Sequence, residues 1–136
     1  MTTTYKDVQD ICDVATKYYK DRGMCSVIAL AIAAGVGYGK AFHVYRRLGR
    51  RLGTGTYRDT QGKALALLGL KLEQINNAYG CKTTKAVGKI AHRLQGTHWV
   101  YCTHHVGCIK DGHYYDWAGS RNMRNVLIYK VVPINN

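Results

Sequence analysis

The stretch Val27-Ile-Ala-Leu-Ala-Ile-Ala-Ala34 is apolar at every position, and it limits what this chain can fold into more than any other stretch. A helix with no polar face has none to offer water, so it must be enclosed on all sides. Gly23 interrupts whatever precedes it, and Gly35 supplies the left-handed stop common at helix C-termini. The expected helix lies between these glycines, with Cys25 in its first turn. A thiol there faces the positive end of the helix dipole and backbone N–H groups with no intrahelical acceptor; both favour thiolate over thiol. A buried structural cysteine is the other reading of the same stretch, and the helix by itself does not choose between them.

A chain of 136 residues is long enough to enclose such a helix and is read as one domain over residues 1–136. No apolar run is long enough to span a bilayer, and Met-Thr-Thr-Thr-Tyr-Lys-Asp at the N-terminus is not a signal peptide, so no membrane partner is expected. Five cysteines in no framework spacing indicate reduced thiols and a cytoplasmic location. The net charge of +12 favours acidic partners, either nucleic acid or an acidic protein.

Before the apolar helix, Val8, Ile11, Cys12, Ala15, Tyr18 and Tyr19 recur at helical spacing, and Thr4 with Asp7 resembles a capping arrangement. A first helix is therefore expected over residues 5–20. After Gly35 a tight connector leads to a helix that turns Ala41, Val44, Tyr45 and Leu48 inward and Lys40, Arg46 and Arg47 outward. Gly49-Arg-Arg-Leu-Gly-Thr-Gly-Thr56 follows, mixing glycines that permit close backbone approach with arginines that seek anions. It lacks the lysine and the preceding strand of a phosphate-binding loop. Arg50, Arg51, Gly53, Thr54 and Gly55 are its candidate substrate- or anion-binding residues; a solvated basic loop is the alternative. Ala64–Leu70 reads as apolar helix, Leu70–Ile75 as a short strand, and Asn76–Gly80 as a turn. Thr83 or Thr84 caps a helix whose inner face is Ala86, Val87, Ile90, Ala91 and Leu94.

From Thr97 the period becomes two, with strands expected over 99–103, 105–109, 113–117 and 126–132. Helices first and antiparallel strands later indicate an α+β architecture. Asp111-Gly112 is the preferred pair for a two-residue hairpin turn. That turn pairs Lys110 with His113, Ile109 with Tyr114, Cys108 with Tyr115, and Gly107 with Asp116. His105 then lies diagonal to Asp116 on one face, and diagonal Cα atoms about 7–8 Å apart leave a gap the two side chains can bridge. Gly107 has no side chain to block them. The register thus predicts a His105–Asp116 pair, the orienting half of a Cys-His-Asp triad.

Cys25-Ser-Val-Ile-Ala-Leu-Ala-Ile-Ala-Ala-Gly35, Gly49-Arg-Arg-Leu-Gly-Thr-Gly-Thr56 and His105-Val-Gly-Cys-Ile-Lys-Asp-Gly-His-Tyr-Tyr-Asp116, in this order, resemble the successive signatures of small papain-like cysteine peptidases. The likeness extends to phage and prophage proteins related to the peptidases that trim leader peptides from bacteriocins. The resemblance covers roughly residues 21–132. It implies a papain-like fold, in which a buried nucleophile helix packs on a C-terminal antiparallel sheet, and a phage protein working in the host cytoplasm. It further implies that Cys25 is the nucleophile, His105 the general base and Asp116 the residue that orients the imidazole, with thiol-dependent hydrolysis of a peptide or amide bond as the activity. The chain departs from the family pattern where an oxyanion donor is usual: Met24 precedes the cysteine and Tyr19 stands six positions upstream. The donor is then Arg22 or the Cys25 backbone N–H alone.

Two other readings stay open. A catalytically degenerate member of the family would be a basic binding protein, using Arg46, Arg47, Arg50, Arg51 and Arg58 against nucleic acid or an acidic host protein; transfer of the acyl group to an amine is a third option. His98, Cys102, His104, Cys108 and His113 are the residue types of a metal site, and the alternation along the hairpin puts them on the face opposite His105. They are spread too far along the strands to converge, so neither a metal nor another cofactor is expected. Cys108, Trp99 and Trp117 read as core or rim residues.

Overall fold

Gly35 ends the apolar helix in the way its position requires. Its backbone is left-handed, with φ 66°; its N–H donates to Ile32 O at 3.2 Å and the Val36 N–H donates to Ala31 O at 3.0 Å. This is a Schellman closure. The computed structural model describes residues 17, 24–75, 80–103, 105–115 and 122–134. The expected first helix, Arg22, Gly23, the turn at 76–79, His104, Asp116 and Trp117 lie outside the described residues.

Among the described residues the helices are α1 (Cys25–Ala34), α2 (Tyr38–Arg47), α3 (Arg58–Leu67) and α4 (Thr84–Ile90), the last running into a 3-10 turn at Ala91–Arg93. The strands are β1 (Leu70–Gln74), β2 (Thr97–Cys102), β3 (His105–Lys110), β4 (His113–Tyr115) and β5 (Leu127–Pro133). They form one antiparallel sheet in the order β1-β5-β2-β3-β4. The chain is therefore α+β, with the C-terminal strand inserted between β1 and β2. No single helix among the described residues is long and apolar enough to cross a membrane.

The period of two in the strands divides the interior into two cores. Trp99 and Tyr101 of β2, Val106 and Cys108 of β3 and Val131 of β5 face α1, α2 and α3. The intervening Val100, Cys102, Ile109 and Ile128 face α4 and its 3-10 turn. With a helical layer on each side, β2 and β3 are buried along nearly their whole length. All positions of α1 from Ser26 to Ala33 are buried, as its lack of a polar face demands. Lys110 Nζ donates to Ile32 O at 3.0 Å, tying the end of β3 to the negative end of α1.

The β3–β4 hairpin has the expected register: Cys108 opposite Tyr115, Ile109 opposite Tyr114 and Lys110 opposite His113. Asp111 and Gly112 both have positive φ, 49° and 86°, as a type I′ turn needs. Gly107 leaves room for the neighbouring strand. A Cβ there would meet Tyr114 Cε1 at 3.1 Å and Tyr115 O at 3.2 Å. Thr83 is the cap of α4, its Oγ1 accepting from the Ala86 N–H at 3.4 Å. Thr84 instead accepts from the Met123 N–H at 2.9 Å.

Two expectations need correction. The helix placed over Ala64–Leu70 begins at Arg58 and stops at Leu67, and β1 begins at Leu70; polar residues fill its exposed first turn and hid it from a hydrophobic pattern. The proposed histidine and cysteine set does not share one face. Cys102 stands opposite His105 and His98 opposite Ile109, so those two lie on the same face as His105, while Cys108 and His113 lie on the other. The pairing joins even positions on β2 to odd ones on β3, which number parity alone does not reveal. Among the described residues no three His, Cys, Asp or Glu side chains are grouped to hold a metal ion.

His98 carries a pH dependence. It is buried at 2% exposure, and burial, with Lys130 second, holds its imidazole below the ordinary value of 6.5. The unfolded chain takes up a proton near 6.5 while the folded chain resists it, so stability is lost as pH falls from there towards the lower folded value. The urea midpoint is expected to drop between pH 7.5 and pH 5.5, as a direct consequence of that mismatch. His98→Gln should flatten this segment of the profile; an unchanged slope in the variant would remove His98 as its source.

Candidate active site

Cys25 and His105 come from opposite ends of the chain and line one cleft of about 1000 Å3. Cys25 opens α1 and is half-buried. Met24 precedes it with no side-chain cap on the helix, and no acidic residue stands in the first turn. The positive helix end is thus neutralised by neither device. His105 opens β3 and is half-buried. By alternation it belongs to the face that α4 covers, yet at the strand end the cleft reaches both faces. Tyr101 and Val106 line it from one face, Cys102 and His105 from the other. The Cys102 thiol donates to His105 O at 3.6 Å, joining the two strand ends beside the imidazole.

The opposite wall is the loop between α2 and α3. Gly49 enters it at φ 95°, and the Arg50 N–H donates to Tyr45 O at 3.0 Å. Arg50 is not solvated, as a simple basic loop would have it: it is only 9% exposed, and its Nε donates to Thr54 O at 2.9 Å. Thr54 closes the turn back, its Oγ1 donating to Arg51 O at 2.6 Å. Arg51, Thr54 and Gly55 are exposed and line the cleft. Gly53 sits in the same turn at φ 81°, a conformation that favours glycine. Of the residues singled out in the sequence, the cleft brings together Cys25, His105, Arg50, Arg51, Thr54 and Gly55. Asp116 lies outside the described residues.

Gln61 holds this loop to the sheet, and the sequence reading missed it. Its Nε2 donates to Thr56 O at 3.2 Å, and its Oε1 accepts from Trp99 Nε1 at 3.1 Å. Gln61 is itself buried, one turn before Ala64 and Leu65 on the inner face of α3. A glutamine in an inward position of an amphipathic helix was the available signal. Tyr101 was missed as well. It is buried, burial pushes its phenol up to about 12, and Arg58 acts against that rise; the Arg58 guanidinium lies 4.4 Å above the ring.

Behind Cys25 are two buried hydroxyls. Burial pushes the Tyr45 phenol well above its ordinary range, with Ser26, Tyr101, Cys25 and Arg50 as the groups felt there. Ser26 and Tyr45 act on each other, the Ser26 hydroxyl opposing the rise that burial imposes on the phenol. No protein-family model, curated protein sequence or solved structure matches this chain.

Proposed function

We propose that the chain is a thiol-dependent hydrolase of peptide or amide bonds, built on a papain-like scaffold. The observation that carries this reading is that Cys25, at an uncapped helix N-terminus, and His105, at the first position of a strand, both line one cleft. A helix end offers N–H donors to an oxyanion, and an imidazole in the same cleft serves as the proton carrier.

In the proposed reaction His105 takes the Cys25 proton and the thiolate attacks the carbonyl carbon. The oxyanion of the tetrahedral intermediate is met by the Cys25 backbone N–H, consistent with the absence of a side-chain donor at Met24. His105 returns the proton to the departing amine, leaving an acyl group on the sulfur. Water, deprotonated by His105, then releases the acid and restores the thiol. Asp116 is assigned the orienting role by the resemblance and by the hairpin register that leads towards it.

The test is selective alkylation. Iodoacetamide at pH 6 should modify Cys25 at least about tenfold faster in the wild-type protein than in His105→Ala. A Cys25 rate indifferent to His105 would end the hydrolase reading. A basic binding protein is the second reading, favoured by the exposure of Arg46, Arg47, Arg51 and Arg58.

A further inference from the structure

Every charged or titrating basic side chain lining the cleft is cationic or imidazole: Arg50, Arg51, Arg58 and His105, with no Asp or Glu among the described lining residues. One sign of charge in a concave, partly desolvated site concentrates the field on whatever enters it. Two of these arginines are held in place before any ligand arrives. Arg50 is buried and fastened through Nε to Thr54 O. Arg58 rests on the Tyr101 ring, 4.4 Å from its centroid. Restrained guanidinium groups lose less freedom on binding and suit the planar, two-oxygen geometry of a carboxylate.

We infer that the cleft selects peptides carrying an aspartate or glutamate side chain beside the bond to be cleaved, and that Arg50 and Arg58 read its carboxylate. The position of that bond rests on the hydrolase reading above; the charge preference does not. A peptide fits better than a nucleic acid because Arg50, Arg51 and Arg58 line the same cleft as Cys25 and His105 instead of tracking a phosphate chain along a surface. Tyr101 is buried beneath Arg58, with the Tyr129 ring meeting it edge-on at 5.6 Å, and has no open face for base stacking. The exposed ring at the rim is Tyr57, which brings a nucleic-acid arm into the test.

The experiment uses the full chain carrying Cys25→Ala, so binding is read without turnover. Two fluorescein-labelled peptides are compared by anisotropy, identical except that glutamates in one are glutamines in the other. The glutamate peptide is expected to bind about tenfold tighter, the effect of one charge-assisted contact. Arg58→Gln, an exposed change that spares the fold, should erase most of that difference, and Arg50→Gln should do the same. Lys89→Gln, on the exposed side of α4, should leave it intact. Equal affinities for the two peptides, or a preference that survives both arginine changes, overturn the inference. So does tighter binding of a single-stranded DNA oligonucleotide that is lost with the same arginines. A glutamate preference in a protein whose wild-type Cys25 shows no His105-dependent alkylation supports the carboxylate site while removing the hydrolase, so the two failures are told apart.

Discussion

Replacing Cys25 by alanine is expected to abolish amide cleavage, a fall of about 10^4-fold or more, with little change in stability. Alanine is the best helix former, the side chain is half-buried, and no large volume is lost from the core. The measurement is the appearance of new peptide termini when a complex peptide mixture is incubated with wild-type or variant protein and read by mass spectrometry. His105→Ala should fall by a comparable factor, because the thiol then lacks its proton carrier. Asp116→Asn should fall steeply yet not to zero, since an asparagine holds the imidazole in the wrong tautomer without removing it. The binding-protein reading expects the reverse: Cys25→Ala and Asp116→Asn retain partner affinity, while Arg46→Ala or Arg47→Ala is damaging. Wild-type levels of new termini from the Cys25→Ala protein would leave only the fold.

The second large effect is expected at Trp99. It is fully buried beneath the helices and donates to Gln61, which in turn holds Thr56. Trp99→Ala should cost about 3–5 kcal/mol, lowering the thermal midpoint by on the order of 10–20 °C for a chain of this size. Trp99→Phe keeps most of the volume and removes the donor, so its cost should be nearer about 1–2 kcal/mol. The informative readout is local. With Gln61 released, the loop from Gly49 to Tyr57 should become more open to trypsin after Arg51, and Gln61→Leu should reproduce this. If Trp99→Phe and Gln61→Leu both leave cleavage at Arg51 unchanged, this chain of bonds does not hold the cleft wall.

These expectations divide according to the range of the interactions behind them. The all-apolar run to Ala34, the left-handed Gly35, the Asp111-Gly112 turn with its register and a threonine cap at 83 or 84 were all readable from the chain. Each depends on neighbours a few residues away, through backbone stereochemistry or a hydrophobic period. Cys25 and His105 were also readable as candidates, the one from its place at a helix start and the other from its place ahead of the hairpin.

Only the tertiary structure decided that these two open onto one cleft, because nothing in a local pattern measures the distance between a helix start and a strand start so far apart in the chain. The same holds for the insertion of β5 between β1 and β2, which turns on backbone pairing rather than composition. It holds for the face shared by Cys102 and His105, which depends on how the turn between β2 and β3 carries the pleat round. Arg50 makes the point most directly. In the sequence it is one arginine among several in a glycine-rich loop; in the fold, Tyr45 O accepts its backbone N–H and Thr54 O its Nε–H. Those two bonds are local; what only the fold decides is that Arg50 ends buried in the wall of the cleft that Cys25 and His105 line, because enclosing a charge depends on everything packed around it.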